Sequence, residues 1–189
     1  STSFVEVTNK RYTLSWSMVS QSSTVANVIQ PVSKARPEET LDASITGKMS
    51  HKEQIKLKNE KKVSVYNNKS SVKYINIGKN IDIKYDVQSS SLKESIILTE
   101  LPNQTSFSFN MNSDGLKAKL QRDNSVTFYK EGSDQPIFII AAPYMFDNNQ
   151  ELSNNIKVEL TPIIGGYRYT IIPDRNWLEN KNRAWPVTI

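Results

Sequence analysis

The sequence predicts an all-β fold: an antiparallel β-sandwich, as one sandwich or two packed sub-sandwiches, with one or two short helical turns. Three observations predict it. Large apolar residues recur at every second position, which turns one face of an extended strand inward and the other to water. Polar turn residues break these runs at short intervals, the rhythm of a sandwich rather than of βαβ units. Stretches with helical periodicity are scarce.

The elements follow in chain order. In Tyr12-Thr-Leu14-Ser-Trp16-Ser-Met18 the large residues alternate with small polar ones, a half-buried strand. Comparable runs are Val63-Ser-Val65-Tyr66, Val72-Lys-Tyr74-Ile75, Ile81-Asp-Ile83-Lys-Tyr85-Asp-Val87, Phe107-Ser-Phe109 and Val126-Thr-Phe128. They continue at Ile137-Phe-Ile-Ile-Ala-Ala142, Ile156-Lys-Val158-Glu-Leu160 and Tyr167-Arg-Tyr169-Thr-Ile171-Ile172. Turns are expected at Asn67-Asn68, Gly78-Lys-Asn80, Ser113-Asp-Gly115, Gly132-Ser-Asp134 and Gly165-Gly166. Ala142-Pro143 should end a buried strand, because proline donates nothing to a ladder. Pro37-Glu-Glu-Thr-Leu-Asp42 and Asp174-Arg-Asn-Trp177-Leu178-Glu179 could each open a helical turn, the second capped by Asp174. Residues 21–50 carry the weakest pattern and read as a long loop around weak strands. Two regions are expected: residues 1–59, N-terminal hairpins and a long loop packed on the main domain, and residues 60–189, the main sandwich.

Composition excludes several chemistries. The chain of 189 residues holds no Cys and one His, so a zinc site of the usual Cys/His kind cannot be built and Cys–His nucleophilic catalysis is impossible. A disulfide scaffold is excluded for the same reason. No run approaches the ~18 consecutive apolar residues of a membrane span. The net charge of +5 comes from 24 basic against 19 acidic residues, a mixed surface. The densest basic stretch, residues 52–62, holds interrupting acids and no aromatic, so it reads as a solvated strand face rather than a nucleic-acid groove. The first residue is not Met and the last, Trp185-Pro-Val-Thr-Ile189, stop within a strand-like run. A piece of a longer polypeptide is the expectation.

No site emerges from local motifs. His51 lies among polar and basic neighbours and would need a nucleophile and an acid from elsewhere. Asp147-Asn-Asn-Gln-Glu151 lacks the spacing and the glycine of a calcium loop, and Ser113-Asp114-Gly115 reads as a turn, so no metal site is expected. Two acids at the separation glycoside hydrolysis needs could meet in the fold, yet no particular pair is favoured. Tyr12, Trp16, Tyr74, Tyr85, Phe107, Phe109, Phe128, Tyr167 and Tyr169 fall mostly on alternating positions, as core packing requires. Trp177 and Trp185 lie beside turns or prolines, where an aromatic clamps a crossing chain. Trp177 and Leu178 should fold back over one end of the sandwich, and Pro186 should direct the last strand outward.

The C-terminal third carries a resemblance. Gly166-Tyr-Arg-Tyr-Thr-Ile-Ile-Pro173-Asp174-Arg-Asn-Trp177-Leu178, followed by Trp185-Pro186-Val187-Thr188-Ile189, resembles a segment of large bacterial surface and secreted proteins. There a Pro-Asp-x-x-Trp-Leu … Tyr-Pro-Val-Thr-Ile-Asp-Pro stretch closes a β-rich region. That region precedes DNRLRE-type modules and RHS/YD-repeat arrays in wall-associated proteins of Gram-positive bacteria. Upstream, the stretch from Val72 to Val87 is similar to the family's Val-x-Tyr … Gly-x-Asp-x-x-Tyr-x-Val hairpin, and Leu92-Lys93-Glu94-Ser-Ile96-Ile-Leu98 to its Lys-Glu-x-Ile-x-Leu strand. Asn112-Ser-Asp-Gly115-Leu116 and Ala142-Pro143-Tyr144-Met145-Phe-Asp147 match its turns. The likeness runs colinearly over about residues 60–189, and Phe4-Val-Glu-Val with Tyr12-Thr-Leu-Ser-Trp16 resembles the opening hairpins. Trp185 stands where the pattern has Tyr, and the chain ends before its Asp-Pro.

The resemblance implies a non-catalytic structural or presentation module of a large RHS-type protein, in which any toxic activity sits far downstream. It brings no catalytic, cofactor-binding or metal residue. Pro173, Asp174, Trp177, Leu178, Trp185 and Pro186 are its structural residues. The expected protein is secreted or wall-associated, needs no cofactor, is monomeric as a fragment and does not insert into membranes. Its partners would be neighbouring modules of the same polypeptide, with no nucleic acid. The alternative is a module binding glycan or cell-wall polymer, with glycoside hydrolysis a more distant third.

Overall fold

The structure, a computed structural model, describes residues 4–19, 29–32, 70–88 and 90–189. The expected strand at 63–66, the turn at 67–68, the helical turn at 37–42, the basic run and His51 lie outside them. The described residues form an all-β, antiparallel body with one helical turn.

A five-stranded sheet has the order β1 (Phe4–Asn9), β2 (Tyr12–Met18), β7 (Phe107–Asn112), β14 (Gly166–Pro173) and β13 (Ile156–Ile163). A seven-stranded sheet runs β12 (Leu152–Ser153), β11 (Met145–Phe146), β15 (Val187–Thr188), β6 (Leu92–Leu98), β5 (Ile81–Val87), β4 (Ser70–Gly78) and β3 (Ile29–Val32). A three-stranded sheet is made of β10 (Pro136–Ile140), β9 (Val126–Tyr129) and β8 (Lys117–Leu120). The single helical turn, α1, spans Arg175–Leu178.

Period-two alternation explains which side chains go inside. From β7, Phe107, Phe109 and Met111 are buried while Ser108, Asn110 and Asn112 face out; β13 and β14 send in Ile156, Val158, Tyr169 and Ile171. The seven-stranded sheet answers with Ile81, Ile83, Tyr85, Ile96, Leu98 and Val187, and these join Leu14 and Met18 of β2 in one continuous core. The three-stranded sheet packs onto the same core through Val126 and Phe128, the latter edge-on to Tyr167 at 6.3 Å between ring centroids. The Tyr167 hydroxyl accepts from the Ala118 N–H at 3.0 Å, which satisfies a polar group at that seam.

The turns follow their chemistry. Asp114 and Gly115 both take positive φ between β7 and β8, as a tight reversal of strands demands. At the β13–β14 hairpin the two glycines do different work. Gly165 sits at φ +80°, whereas Gly166 is needed because β7 comes so close that a side chain would run into the Met111 carbonyl.

Two expectations are corrected. The run 137–142 is not a buried strand: β10 ends at Ile140, lies at the edge of the three-stranded sheet, and leaves Ile139 63% exposed. Its continuous apolar run suggested burial on both faces, but an edge strand of a small sheet is covered on one face only. The final strand also does not point outward. Val187 and Thr188 pair with Leu98 and Ile97 of β6, Thr188 pairs with Phe146 of β11, and Ile189 exchanges two backbone hydrogen bonds with Ile96. Burial of the Val187 side chain explains why this strand turns in.

Candidate functional site

Among the described residues, hydrogen bonds and ion pairs gather on the strap that carries the chain from β14, in the five-stranded sheet, to β15, in the seven-stranded one. Pro173 is the last residue of β14 and pairs with Ile156. Asp174 then caps α1: its Oδ1 accepts from the Asn176 N–H at 3.0 Å, and its Oδ2 from the Asn155 amide at 2.7 Å. Its own N–H donates to the Asn155 carbonyl at 2.9 Å. One turn of helix places Leu178 in the core and leaves Trp177 half-buried against it. Trp185, also partly buried, packs on the same core, and the Trp185–Pro186 peptide bond is cis.

Arg183 locks the strap. Its guanidinium lies over the Trp177 ring at 3.4 Å from the centroid, and its Nε donates to the Trp177 carbonyl at 3.1 Å. The other end of the fork donates to Asp147 Oδ2 at 3.0 Å and to Glu151 at 3.1 Å. The Arg183 and Asp147 side chains are each only 1% exposed, while Glu151 reaches solvent. A planar cation with several donors can satisfy a ring face, a carbonyl and two carboxylates together, which a lysine cannot.

Asp147 is the hub on the other side. Oδ1 accepts from the N–H groups of Asn149 and Glu151, both at 2.9 Å, and Oδ2 takes a third N–H from Ala184 at 3.2 Å. Burial pushes its pKa up, but the N–H donors of Glu151 and Ala184 and the Arg183 guanidinium outweigh that, and the carboxyl ends below its ordinary value. The 147–151 turn, weighed in the sequence as a calcium loop, thus already has its cation, a guanidinium, and among the described residues no cluster of three or more metal-ligating side chains is found.

The strap brings together all six sequence-chosen residues, Pro173, Asp174, Trp177, Leu178, Trp185 and Pro186. Sequence reasoning missed Arg183, which sits in a loop and has no periodicity to mark it. Asp147 was visible only as part of a polar turn. A second missed residue, Glu94, had a signal: it holds an inward position in Leu92-x-Glu94-x-Ile96-x-Leu98, where only apolar residues were expected. Trp177→Ala should lower stability by about 3 kcal/mol, through lost packing and the lost ring under the cation. A urea melt with an unchanged midpoint would show that the strap does not need the indole.

Comparisons with known proteins add the functional direction. No family model matches the chain, and no solved structure matches it. Three curated relatives are each 28% identical over 127 residues, 64% of this chain: the "tRNA(Glu)-specific nuclease WapA" of Bacillus subtilis subsp. natto, the "tRNA nuclease WapA" of Bacillus subtilis strain 168 and the "tRNA3(Ser)-specific nuclease WapA" of Bacillus spizizenii. The match covers 5% of each relative's length. These names overturn the expectation of a non-catalytic presentation module, with its glycan-binding and glycosidase alternatives, and likewise the expectations of no enzyme and no nucleic-acid partner. The physical reason is one of scale: alternation and turns report how a segment packs, and are silent on an activity named for relatives of which the match covers only a small part.

Proposed function

We propose that this chain is a β segment of a WapA-type tRNA nuclease, and that the polypeptide containing it cleaves tRNA. The observation that carries this reading is the 127-residue match to three proteins that all bear the name tRNA nuclease. Two of the names specify different tRNAs, yet the extent and identity of the match are the same for each. The segment is therefore shared by nucleases of differing tRNA choice. At 5% of such a protein's length, it belongs to an activity of the whole.

Under this reading the strands from β4 onward make most of the sandwich, and β1, β2 and β3 complete its two larger sheets. The region stands ahead of DNRLRE-type and RHS/YD-repeat modules in a secreted or wall-associated protein. Among the described residues no helix is long and apolar enough to cross a membrane. The Arg183 lock holds the end of the sandwich in one arrangement within that larger enzyme.

The test is cleavage of a total tRNA pool by the purified full-length polypeptide, with the cut sites mapped by sequencing the new 3′ ends. Site-specific tRNA cleavage is expected. A pool that stays intact at enzyme concentrations equal to the tRNA would overturn the proposal. Running the 189-residue chain alone in parallel reports whether cleavage resides within it.

A further inference from the structure

A carboxylate on the core face of a strand is costly unless something is gained. Glu94 is such a group. It lies on β6 between the inward-facing Leu92 and Ile96, opposite Tyr85 of β5 in the strand register. Its Oε2 accepts from the Trp16 indole N–H at 2.9 Å, part-buried. Trp16 belongs to β2, so this hydrogen bond joins the five-stranded sheet to the seven-stranded one across the core.

We propose that Glu94 is a pH-sensitive bolt between the two facing sheets, its protonated carboxyl favouring the closed sandwich and its ionised form favouring opening. The surroundings support this. The five-stranded sheet faces Glu94 with Trp16, which does not titrate, and with Tyr169 of β14. The seven-stranded sheet adds Tyr85, with Tyr74 of β4 edge-on to it at 6.0 Å. From β15, Val187 and Thr188 carry no charge. Lys93, beside Glu94, faces the other side of β6 and lies over the Tyr144 ring. Among the described residues no cation pairs with Glu94.

Glu94 is raised above the ordinary carboxylate value: loss of water around its part-buried carboxyl lifts it, and the Trp16 indole N–H, with the neighbouring Tyr85 hydroxyl, recovers only part of the loss. Tyr169 is raised by its own burial and then by the charge of Glu94, so the phenol stays neutral and cannot share that charge. The sign follows. Above the unfolded value of 4.5 the folded chain holds a proton that the unfolded chain has lost. Stability from this group is full below that pH and declines as pH climbs through the folded value. Asp147 acts in the opposite sense and only in acid, where protonation below its ordinary 3.8 weakens the strap.

The experiment is thermal unfolding of the 189-residue chain and its Glu94→Gln variant from pH 4.5 to about 8. The wild type should lose about 3–5 °C of Tm for each pH unit by which the folded value is raised. The Gln variant, which keeps an acceptor for Trp16 without the charge, should be flat in this window and melt higher at neutral pH. Parallel profiles for the two proteins would overturn the proposal. A readout that needs no variant is the NMR titration of the wild-type Glu94 carboxyl carbon together with the Trp16 indole N–H. Both should move together above pH 4.5. A carboxyl that titrates at or below that value, or an indole signal that ignores it, would also overturn the proposal.

Discussion

Arg183→Ala should destabilise the protein by about 3–5 kcal/mol, the range for a buried ion pair that loses one partner, and lower Tm by roughly 10 °C. The large value comes from what is left behind rather than from what the pair contributes. Without the guanidinium, Asp147 stays sealed from water with a negative charge and three backbone donors aimed at it, the Trp177 carbonyl keeps only the longer bond from the Asn180 N–H, and the Trp177 ring face is bared. Arg183→Lys should recover little, since an ammonium cannot span the ring, the carbonyl and both carboxylates. The exposed pair Arg175–Glu179, four residues apart in the same strap, is the internal contrast: at 2.6 Å it is shorter, yet both side chains are about half exposed, and its removal should cost below about 0.5 kcal/mol. Chemical denaturation of the three variants measures all of this. Equal midpoints for the Arg183 and Arg175 variants would mean that burial does not set the strength of the lock.

Gly166→Ala should be comparably damaging, about 3 kcal/mol or more, at the upper end of overpacking effects. The added methyl would overlap the Met111 carbonyl oxygen and press on the Met111 carbonyl carbon at 3.0 Å and the Asn112 Cα at 3.1 Å. All three are backbone atoms of β7, so nothing can swing aside, and the β7–β14 ladder has to separate where Gly166 meets Asn112. Gly165→Ala is the control. Its methyl would meet nothing within 4 Å, and the cost is the positive φ alone, about 1–2 kcal/mol. Denaturation midpoints should rank the two variants in that order. The reverse ranking would show that the turn, not the close approach of strands, governs this hairpin.

The adjacent glycines illustrate how far the sequence could be read. Both were legible as a turn, but one is there for its torsion angle and the other for its missing side chain, a distinction only the neighbouring strand reveals. The alternating runs match the limits of β2 and β5 to the residue, and they fix which face each side chain takes, because a one-residue slip would send Leu14, Met18, Ile81, Ile83 and Tyr85 to water. The apolar run at β10 misled because hydrophobicity without a period cannot tell an edge from a centre. In the candidate site, Asp174 was readable as a cap and Trp177 as a clamp, since both act on near neighbours in the chain. The Arg183–Asp147 pair was not, because its partners lie 36 residues apart and no local rule joins them. Glu94 was readable in retrospect, as an acidic residue on the inward period of β6.

The enclosed last strand has a consequence for how the chain is made. β6 has β5 beside it from the start, but its other neighbour, β15, arrives only after some ninety further residues, the distance between the partners Ile97 and Thr188. At ribosomal speeds of about 5–20 residues per second, the flank of β6 waits roughly 5–20 seconds bare. Until then the backbone edge of β6 at Ile96–Leu98 has no partner on that side. A body that lacks β15 would keep that edge of β6 unpaired, an unfinished and adhesive seam.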